Sequence, residues 1–285
     1  MEQCEMKKKG FYLPYLLSVI VMITLAGPQR AQTKEFNSDS IKVGSKAIYW
    51  KSERNYIGML AAYSVVYKGW QSNNARGYNI GSVLLRNDSL ENGRLVFWAR
   101  NCNTITHNET QHGEVRLMLG YLAKLNADRK HGKRVPDIKN LDGYTVFTTL
   151  EPCAQCSGMM TLQKVHRTVY GQSDPGFGKA LERLQIDSTP LTSGGYPPYP
   201  RKVVSERSNI AYCDLLEQAY KNAGPDVHIT DFLKSDEAKK IFEQAYTEFR
   251  NYKAQVPSIN GQFLEEAKRM VESVPKNFKP LIPDI

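Results

Sequence analysis

The sequence contains little cysteine and no periodic repeat. Five cysteines in 285 residues are too few for a disulfide-based scaffold. Neither a collagen-like glycine period nor a repeat at solenoid spacing is present. Hydrophobic residues make up 41% of the chain and aromatic residues 10%, so a packed core can form and disorder of the whole chain is excluded. This length predicts one large domain or two small ones.

The chain is moderately basic. It has 38 Lys and Arg residues against 29 Asp and Glu residues, a formal net charge of +9. Such an excess permits contact with phosphate groups or an anionic surface but does not require either. Charge alone therefore assigns no partner.

The first 31 residues have the pattern of a secretory leader. Three lysines at positions 7–9 precede an uncharged apolar run over 11–26, which ends in the small residue Ala26 and is followed by Gly27. This order predicts a signal peptide over 1–31 and an exported mature chain, periplasmic or secreted. The run is shorter than the roughly 17–25 residues of a spanning helix, so we expect no stable membrane span in the mature chain. A permanent anchor and a misassigned start upstream of a cytoplasmic enzyme remain alternatives.

Apolar periodicity predicts alternating helices and strands after a polar linker over 32–50. The predicted helices in the first part are 53–69, 113–125, 153–164 and 177–185, and the predicted strands are 79–86, 95–99, 144–149, 167–171 and 201–205. This order is typical of a layered α/β domain, here over 51–222, with helices on both faces of a sheet. Further helices are predicted over 209–222, 231–252 and 260–273. We therefore predict that residues 223–285 form a helical C-terminal extension.

Two short motifs carry the chemistry. His112 and Glu114 form an H-x-E motif, and Cys153 and Cys156 belong to a P-C-x-x-C motif, each at the predicted start of a helix. A catalytic Zn²⁺ takes three protein ligands, which His112, Cys153 and Cys156 can supply. The cysteines are three residues apart, so both sulfurs lie on one side of a helical turn. The pair of motifs is the signature of zinc deaminases.

Glu114 is the carboxylate left over beside this metal site. Zinc lowers the pKa of a water molecule, and a neighbouring carboxylate can take up its proton. We therefore assign Glu114 as the catalytic proton carrier. In this scheme water adds to the amine-bearing carbon of a ring, ammonia leaves and a carbonyl remains.

Other interpretations of these residues exist. The two cysteines could form a redox pair, or a disulfide in an exported protein. A structural zinc site would need a fourth ligand, for which His166 and Cys213 are candidates.

The sequence resembles the cytidine deaminase-like superfamily, in particular tRNA adenosine deaminases and bacterial guanine deaminases. The resemblance runs from about residue 50 to 222. It is carried by three stretches, 148–153 (TTLEPC), 156–160 (CSGMM) and 165–171 (VHRTVYG), and by Asp174. It implies a three-layer α/β/α fold with a mixed, about five-stranded sheet. It also implies zinc on His112, Cys153 and Cys156 and proton transfer by Glu114.

The resemblance further implies two substrate contacts. Asn101, eleven residues before His112, fits the place of an asparagine that hydrogen-bonds the base, with Asn103 as the fallback. The backbone N–H of Gly113 would also face the base. The chain departs from the family before the metal histidine, where Asn-Glu-Thr-Gln (108–111) replaces the common Asp-Pro-Thr-Ala. This departure affects the substrate more than the chemistry.

Three functions follow as hypotheses. The first is a zinc-dependent hydrolytic deaminase of a free nucleobase, nucleoside or related heterocycle, with a purine favoured over a pyrimidine. The second is a deaminase of nucleic acid, favoured by the basic stretch 126–142 and by Tyr196 and Tyr199 as stacking groups. The third is a weakly active, zinc-bound fold that serves as a binding protein. A homodimer is compatible with each of them.

Overall fold

The computed structural model of the protein describes residues 45–86 and 93–276. The strands in this part are β1 Gly81–Arg86, β2 Arg94–Arg100, β3 Tyr144–Leu150, β4 Arg167–Gln172 and β5 Val204–Arg207. The helices are α1 Ser45–Tyr67, α2 Gly113–Lys130, α3 Ala154–Leu162, α4 Ala180–Arg183, α5 Ala211–Ala223, α6 Ile229–Phe232, α7 Asp236–Asn251 and α8 Pro257–Glu272. The predicted leader, 1–31, lies outside the described residues.

The strands form one mixed sheet of five strands in the order β2-β1-β3-β4-β5. β1 is antiparallel to β2 and to β3, whereas β3, β4 and β5 are mutually parallel. The prediction of a mixed, five-stranded α/β fold is therefore confirmed. Because β2, β3 and β4 run in one direction, they all end at the same edge of the sheet, which we call the C-terminal edge. The opposite edge, where β3, β4 and β5 begin, is the N-terminal edge.

The strands bury side chains on both faces, as a sheet between two helical layers must. Val83 and Phe147 belong to one hydrophobic cluster, which includes residues of α1 and α5. Leu84 and Val146, their neighbours along the strands, belong to a second cluster with residues of α2 and α3. The alternation of side chains along each strand thus divides the core into two halves.

Helix α1 lacks a solvent-facing side over its second half. From Ile57 to Val66 nearly every residue is buried, including Tyr63. One side of α1 packs on the sheet, and α7 and α8 pack on the other. A helix that is hydrophobic all round must be covered all round. The C-terminal extension therefore adds a further layer to the predicted three and belongs to the same hydrophobic core.

A buried carboxylate joins this layer to α1. Glu53 accepts hydrogen bonds from the Tyr252 hydroxyl (3.2 Å) and the Val256 N–H (3.2 Å), and also from the Gln255 N–H. The Asn260 side-chain amide donates to it at 2.6 Å. These donors satisfy a charge that would otherwise be costly to bury.

Several element boundaries differ from the prediction. α1 begins at Ser45, so the linker prediction is wrong over its last six residues. α2 continues to Lys130, because Arg129 and Lys130 are good helix formers and complement the negative end of the helix dipole. The predicted helix 231–252 is two helices, α6 and α7, and the second begins where the Ser235 hydroxyl accepts the Ala238 N–H.

Within the described residues, no helix is both long enough and apolar enough to cross a membrane.

Candidate metal centre

The predicted zinc ligands lie at the starts of two helices on the C-terminal edge. His112 immediately precedes α2, and Cys153 immediately precedes α3, three residues after β3 ends. Both residues have extended backbone angles, and neither side chain caps its own helix. Cys156 follows one turn later within α3 and is buried. The two helix starts thus leave the three side chains free to face one another.

The three ligand atoms form a nearly equilateral triangle. His112 Nδ1 is 3.4 Å from Cys153 Sγ and 3.6 Å from Cys156 Sγ, and the two sulfurs are 3.6 Å apart. A tetrahedral zinc centre, with zinc–sulfur distances of about 2.3 Å and zinc–nitrogen distances of about 2.0–2.1 Å, has ligand–ligand edges of about 3.5–3.8 Å. The triangle and its Cys₂His donor set therefore fit a zinc ion.

The two thiols have opposite acidities. Contact with Cys156 and with His112 lowers the pKa of the Cys153 thiol to about 4. Contact with Cys153, together with burial, raises the pKa of Cys156 well above its usual value. The hydrogen bond between His112 and Cys153 raises the pKa of His112. These pKa values favour one thiolate among the three groups, that of Cys153. A bound divalent cation would favour a second thiolate, at Cys156.

Glu114 is the second residue of α2, in the first turn of the helix, and lies directly beside the triangle. Its carboxyl group is buried, with 3% of the residue exposed, and burial raises its pKa. The Thr148 hydroxyl, on β3, donates to Glu114 Oε1 at 3.1 Å. Cys156 also interacts with this carboxyl group. The helix start and β3 therefore hold a carboxyl with a raised pKa next to the metal ligands, as expected of a proton carrier.

Asn101 and Gly113 contact each other. The Gly113 N–H donates to Asn101 Oδ1 at 2.6 Å, and Asn101 is fully buried. This hydrogen bond fixes the amide orientation, so that Nδ2 is a donor without a partner among the described residues. The Gly113 N–H is occupied by Asn101 rather than directed at a substrate. Asn103, the fallback, donates to Glu109 at 3.3 Å.

The sequence did not identify Arg76 as the residue that supports the backbone of Asn101. Arg76 is 2% exposed, and its guanidinium donates to the backbone carbonyls of Asn101 and, at 3.3 Å, of Gly69. Within the described residues no carboxylate pairs with it. Burial lowers the pKa of Arg76. No sequence pattern distinguishes such an arginine from an exposed one in a polar loop.

Glu151, which precedes the Pro-Cys pair, was also missed as a structural partner. Its carboxylate accepts the backbone N–H groups of Asp174 (3.1 Å) and Lys179 (2.8 Å). These hydrogen bonds tie the loop after β4 to the start of α3. Gly178 packs so closely against Glu151 that a Cβ atom there would collide with the carboxylate. The loop thus supports the cysteine pair from one side.

The alternative fourth ligands are not near the metal ligands. Cys213 lies on α5, where its sulfur is 3.4 Å from the Tyr63 hydroxyl in the opposite half of the core. His166 directly precedes β4 at the N-terminal edge, and its backbone N–H donates to Tyr144. Among the described residues the metal-binding group consists of the three predicted ligands alone. The structure therefore gives no support to a four-ligand structural site built on either residue.

The basic stretch 126–142 is also remote from the metal centre. It begins at the C-terminal end of α2, whereas His112 precedes the first residue of that helix. A helix of 18 residues spans about 27 Å. The stretch then leads into β3 at the N-terminal edge. It does not border the metal centre.

Comparison with known proteins agrees with this geometry. The fold and the site define an α/β protein with a Cys₂His set that could hold a metal ion and a buried carboxylate beside it. Residues 58–172 match the family model of the cytidine and deoxycytidylate deaminase zinc-binding region. This match supports a place for residues 58–172 in the cytidine deaminase-like superfamily.

Two curated relatives illustrate the range of the match. The tRNA-specific adenosine deaminase of Rickettsia bellii is 26% identical over 106 residues, which are 37% of this chain and 63% of the relative. The tRNA-specific adenosine deaminase of Bacillus subtilis is 29% identical over 99 residues, 35% of this chain and 52% of the relative. The chain thus spans between half and two thirds of the length of these relatives.

Among solved structures, the guanine deaminase of Nitrosomonas europaea is similar over 68% of this chain and 82% of its own, with 16% identity and a TM-score of 0.31. This likeness is too distant to identify a substrate.

Proposed function

We propose that this protein is a zinc-dependent hydrolytic deaminase that converts an amino-substituted nucleobase, as free base or nucleoside, to its oxo form with release of ammonia. The observation that carries the proposal is the Glu114 carboxyl group, buried beside the His112, Cys153 and Cys156 triangle. A purine is favoured over a pyrimidine, because both curated relatives described above are tRNA-specific adenosine deaminases.

His112, Cys153 and Cys156 would hold the zinc ion. Zinc, when bound, supplies a Lewis acid that makes a water molecule acidic enough to attack at neutral pH. Glu114 would accept one proton from the attacking water at a carboxylate oxygen and deliver it to the ring nitrogen next to the amine-bearing carbon. It would then carry the proton of the added hydroxyl group to the amino group, which would leave as ammonia while the ring carbon keeps the oxygen as a carbonyl. Water and the amine thus become the carbonyl and ammonia.

Thr148 and Asn101 would position the two partners of this reaction. The Thr148 hydroxyl holds one carboxylate oxygen of Glu114 and leaves the other for the proton. Asn101 presents Nδ2 as a fixed donor, so it selects a base with an acceptor atom on the bound edge. A substrate without that acceptor would leave a buried donor unsatisfied, which costs about 1–3 kcal/mol.

The test is deamination by the zinc-loaded protein on a panel of free bases, nucleosides, tRNA and single-stranded DNA, followed by mass spectrometry. We expect conversion of a small purine, and loss of turnover with zinc retained in Glu114→Gln. This variant keeps the shape of the side chain and removes the proton carrier. Zinc binding without conversion of any compound would overturn the proposal and favour a zinc-bound binding protein.

A second candidate is deamination of a base within RNA. It is supported by the names of the two curated relatives, both tRNA-specific adenosine deaminases. The basic stretch 126–142 begins at the far end of α2 from His112, so it does not help to bind RNA at the metal centre. Conversion confined to tRNA in the panel above would favour it over the small-molecule activity.

Export and dimerisation are further parts of the proposal. If the leader at 1–31 is cleaved, the mature enzyme acts in the periplasm or outside the cell. N-terminal sequencing of protein recovered from the native host tests this, and light scattering tests for the homodimer.

A further inference from the structure

Three separate segments come together at the N-terminal edge of the sheet. The Leu141 N–H donates to the Gln163 carbonyl at 2.7 Å, which joins the loop before β3 to the end of α3. The Arg201 guanidinium donates to the Leu162 carbonyl at 2.9 Å, which joins the segment before β5 to the same place. We define the basic surface as these three segments: 126–142, 162–167 and 196–202.

Most of the excess charge of the protein lies on this surface. Its segments carry nine Lys or Arg residues against three Asp residues, an excess of six, whereas the whole chain has an excess of nine. The whole surface has only thirty of the 285 residues. Like charges brought together this way repel one another and do not stabilise the fold. The concentration therefore points to a ligand rather than to a uniformly solvated exterior.

The acidic residues of the basic surface neutralise only part of its positive charge. Asp128 pairs with Lys133 at 2.8 Å and Asp137 pairs with Arg129 at 3.0 Å, while Asp142 is exposed. Arg167 pairs with Glu206 of β5. The remaining cations have no acidic partner within 45–86 and 93–276, and all of them are exposed: Lys130, Arg134, Lys139, Lys164, Arg201 and Lys202.

Two exposed tyrosines closely precede Arg201 and Lys202 in the sequence. Tyr196 is 66% exposed and Tyr199 is 36% exposed, and both lie within the five residues before Arg201. The surrounding stretch 193–200 contains glycines and prolines and no helix or strand. Exposed aromatic rings on the same surface as unpaired cations are features that bind single-stranded nucleic acids, through stacking and phosphate contacts.

We propose that the basic surface binds the sugar–phosphate backbone of a single-stranded nucleic acid, with Tyr196 and Tyr199 stacking on its bases. A duplex would present phosphates but would keep its bases from the tyrosines. This surface is separate from the metal centre. Its segment 126–142 begins at the far end of α2 from His112, and its segment 162–167 begins at the far end of α3 from Cys153. The proposal does not depend on the deaminase activity.

The test measures the affinity of labelled single-stranded RNA and DNA for the zinc-loaded full chain by fluorescence anisotropy over a range of salt concentrations. We expect the logarithm of the affinity to fall linearly with the logarithm of the salt concentration, by about 0.7 per phosphate contact. The triple variant Lys130→Glu, Arg134→Glu, Lys139→Glu should bind at least tenfold more weakly and with a smaller slope. The double variant Tyr196→Ala, Tyr199→Ala should weaken binding and keep the slope.

The matched control carries the same change of charge elsewhere. Lys239, Lys240 and Lys253 are exposed residues of α7 and the segment after it, and their triple replacement by Glu should leave the affinity within twofold of the original. Conversion of a small base should be equal in all these variants. Equal losses of affinity in both triple variants would overturn the proposal, and so would a flat salt response. Binding to phosphatidylserine vesicles but not to either oligonucleotide would also overturn it.

Discussion

Arg76 and Asn101 are joined inside the protein by a hydrogen bond from a buried guanidinium to a backbone carbonyl. Asn101 in turn accepts the N–H of Gly113, the residue after His112. Arg76 is held in place because its own carbonyl accepts the Ile105 N–H at 3.1 Å. A chain of contacts thus leads from the loop before β1 to the start of α2, and it fixes the amide proposed to bind the base.

We therefore expect Arg76→Met to weaken substrate binding. Methionine fills much of the same volume but donates no hydrogen bond, so the Asn101 backbone loses its support. We expect KM to rise about tenfold, equivalent to about 1.4 kcal/mol, with a smaller change in kcat and an unchanged zinc content. Steady-state kinetics and elemental analysis measure these quantities.

Arg54→Met is the control for this prediction. Arg54 is also buried, but it donates to Asn260 at 2.9 Å and to the Ile259 carbonyl, both in the C-terminal extension. This variant should lose stability and keep its KM. If both variants raised KM equally, Arg76 would be an ordinary part of the scaffold.

Cys156→Ser should abolish zinc binding. Serine is a poor zinc ligand at neutral pH, and two of the three donors cannot form a closed set. Cys213→Ser is the matched control, because Cys213 is equally buried but lies outside the triangle. Inductively coupled plasma mass spectrometry should find about one zinc ion in the control and almost none in Cys156→Ser. Equal zinc content in the two proteins would mean that the triangle is not the metal site.

Thr148→Val should lower kcat and spare the metal. Valine has nearly the same shape as threonine but cannot donate to Glu114, so the carboxyl group loses its fixed orientation. We expect kcat to fall about tenfold, part of the roughly 10²–10⁴-fold that a positioned acid–base group contributes. Thr168→Val is the control, since Thr168 is buried on β4 and its hydroxyl has no partner among the described residues. Stopped assays at saturating substrate distinguish the two variants, and equal rates would contradict the role assigned to Thr148.

Phe242→Ala should strongly destabilise the protein. Phe242 is a fully buried residue of α7, and its ring packs against Tyr63 of α1, with the centroids 5.0 Å apart. Removing such a ring from a core costs about 3–5 kcal/mol. Urea denaturation should show this loss, whereas Lys239→Ala, at an exposed site on the same helix, should change the free energy of unfolding by less than about 0.5 kcal/mol. An unchanged midpoint for Phe242→Ala would mean that the extension is not part of the core.

The sequence predicted the sheet and the grouping of His112, Cys153 and Cys156 because both depend on local patterns. Every predicted strand is present, since short β-branched and aromatic runs between turns leave few alternatives. The spacing of Cys153 and Cys156 within one turn, and the position of His112 before a helix, similarly depend only on local geometry. The structure brings all three together as predicted.

The contacts that could not be predicted depend on distant parts of the chain. Arg76 looks like any arginine of a polar loop, and its burial follows from the packing of two loops. The packing of the extension, in contrast, could have been predicted from α1. Residues 57–66 of this helix are almost entirely apolar, so the helix must be buried on more than one side. In the sequence, the basic stretch favours a nucleic-acid substrate, and only the length of α2 shows how far it lies from His112.

The covering of β2 by α8 has a consequence for how the protein behaves at high concentration. β2 and β5 are the outer strands of the sheet, and α8 packs against β2. The other outer strand, β5, has only four residues, which include Glu206 and Arg207. A long, open outer strand would invite hydrogen bonding with another chain and lead to aggregation. In the part of the chain that the structure describes, one outer strand is in contact with a helix and the other is short and charged, and both features discourage growth of the sheet from one molecule into the next.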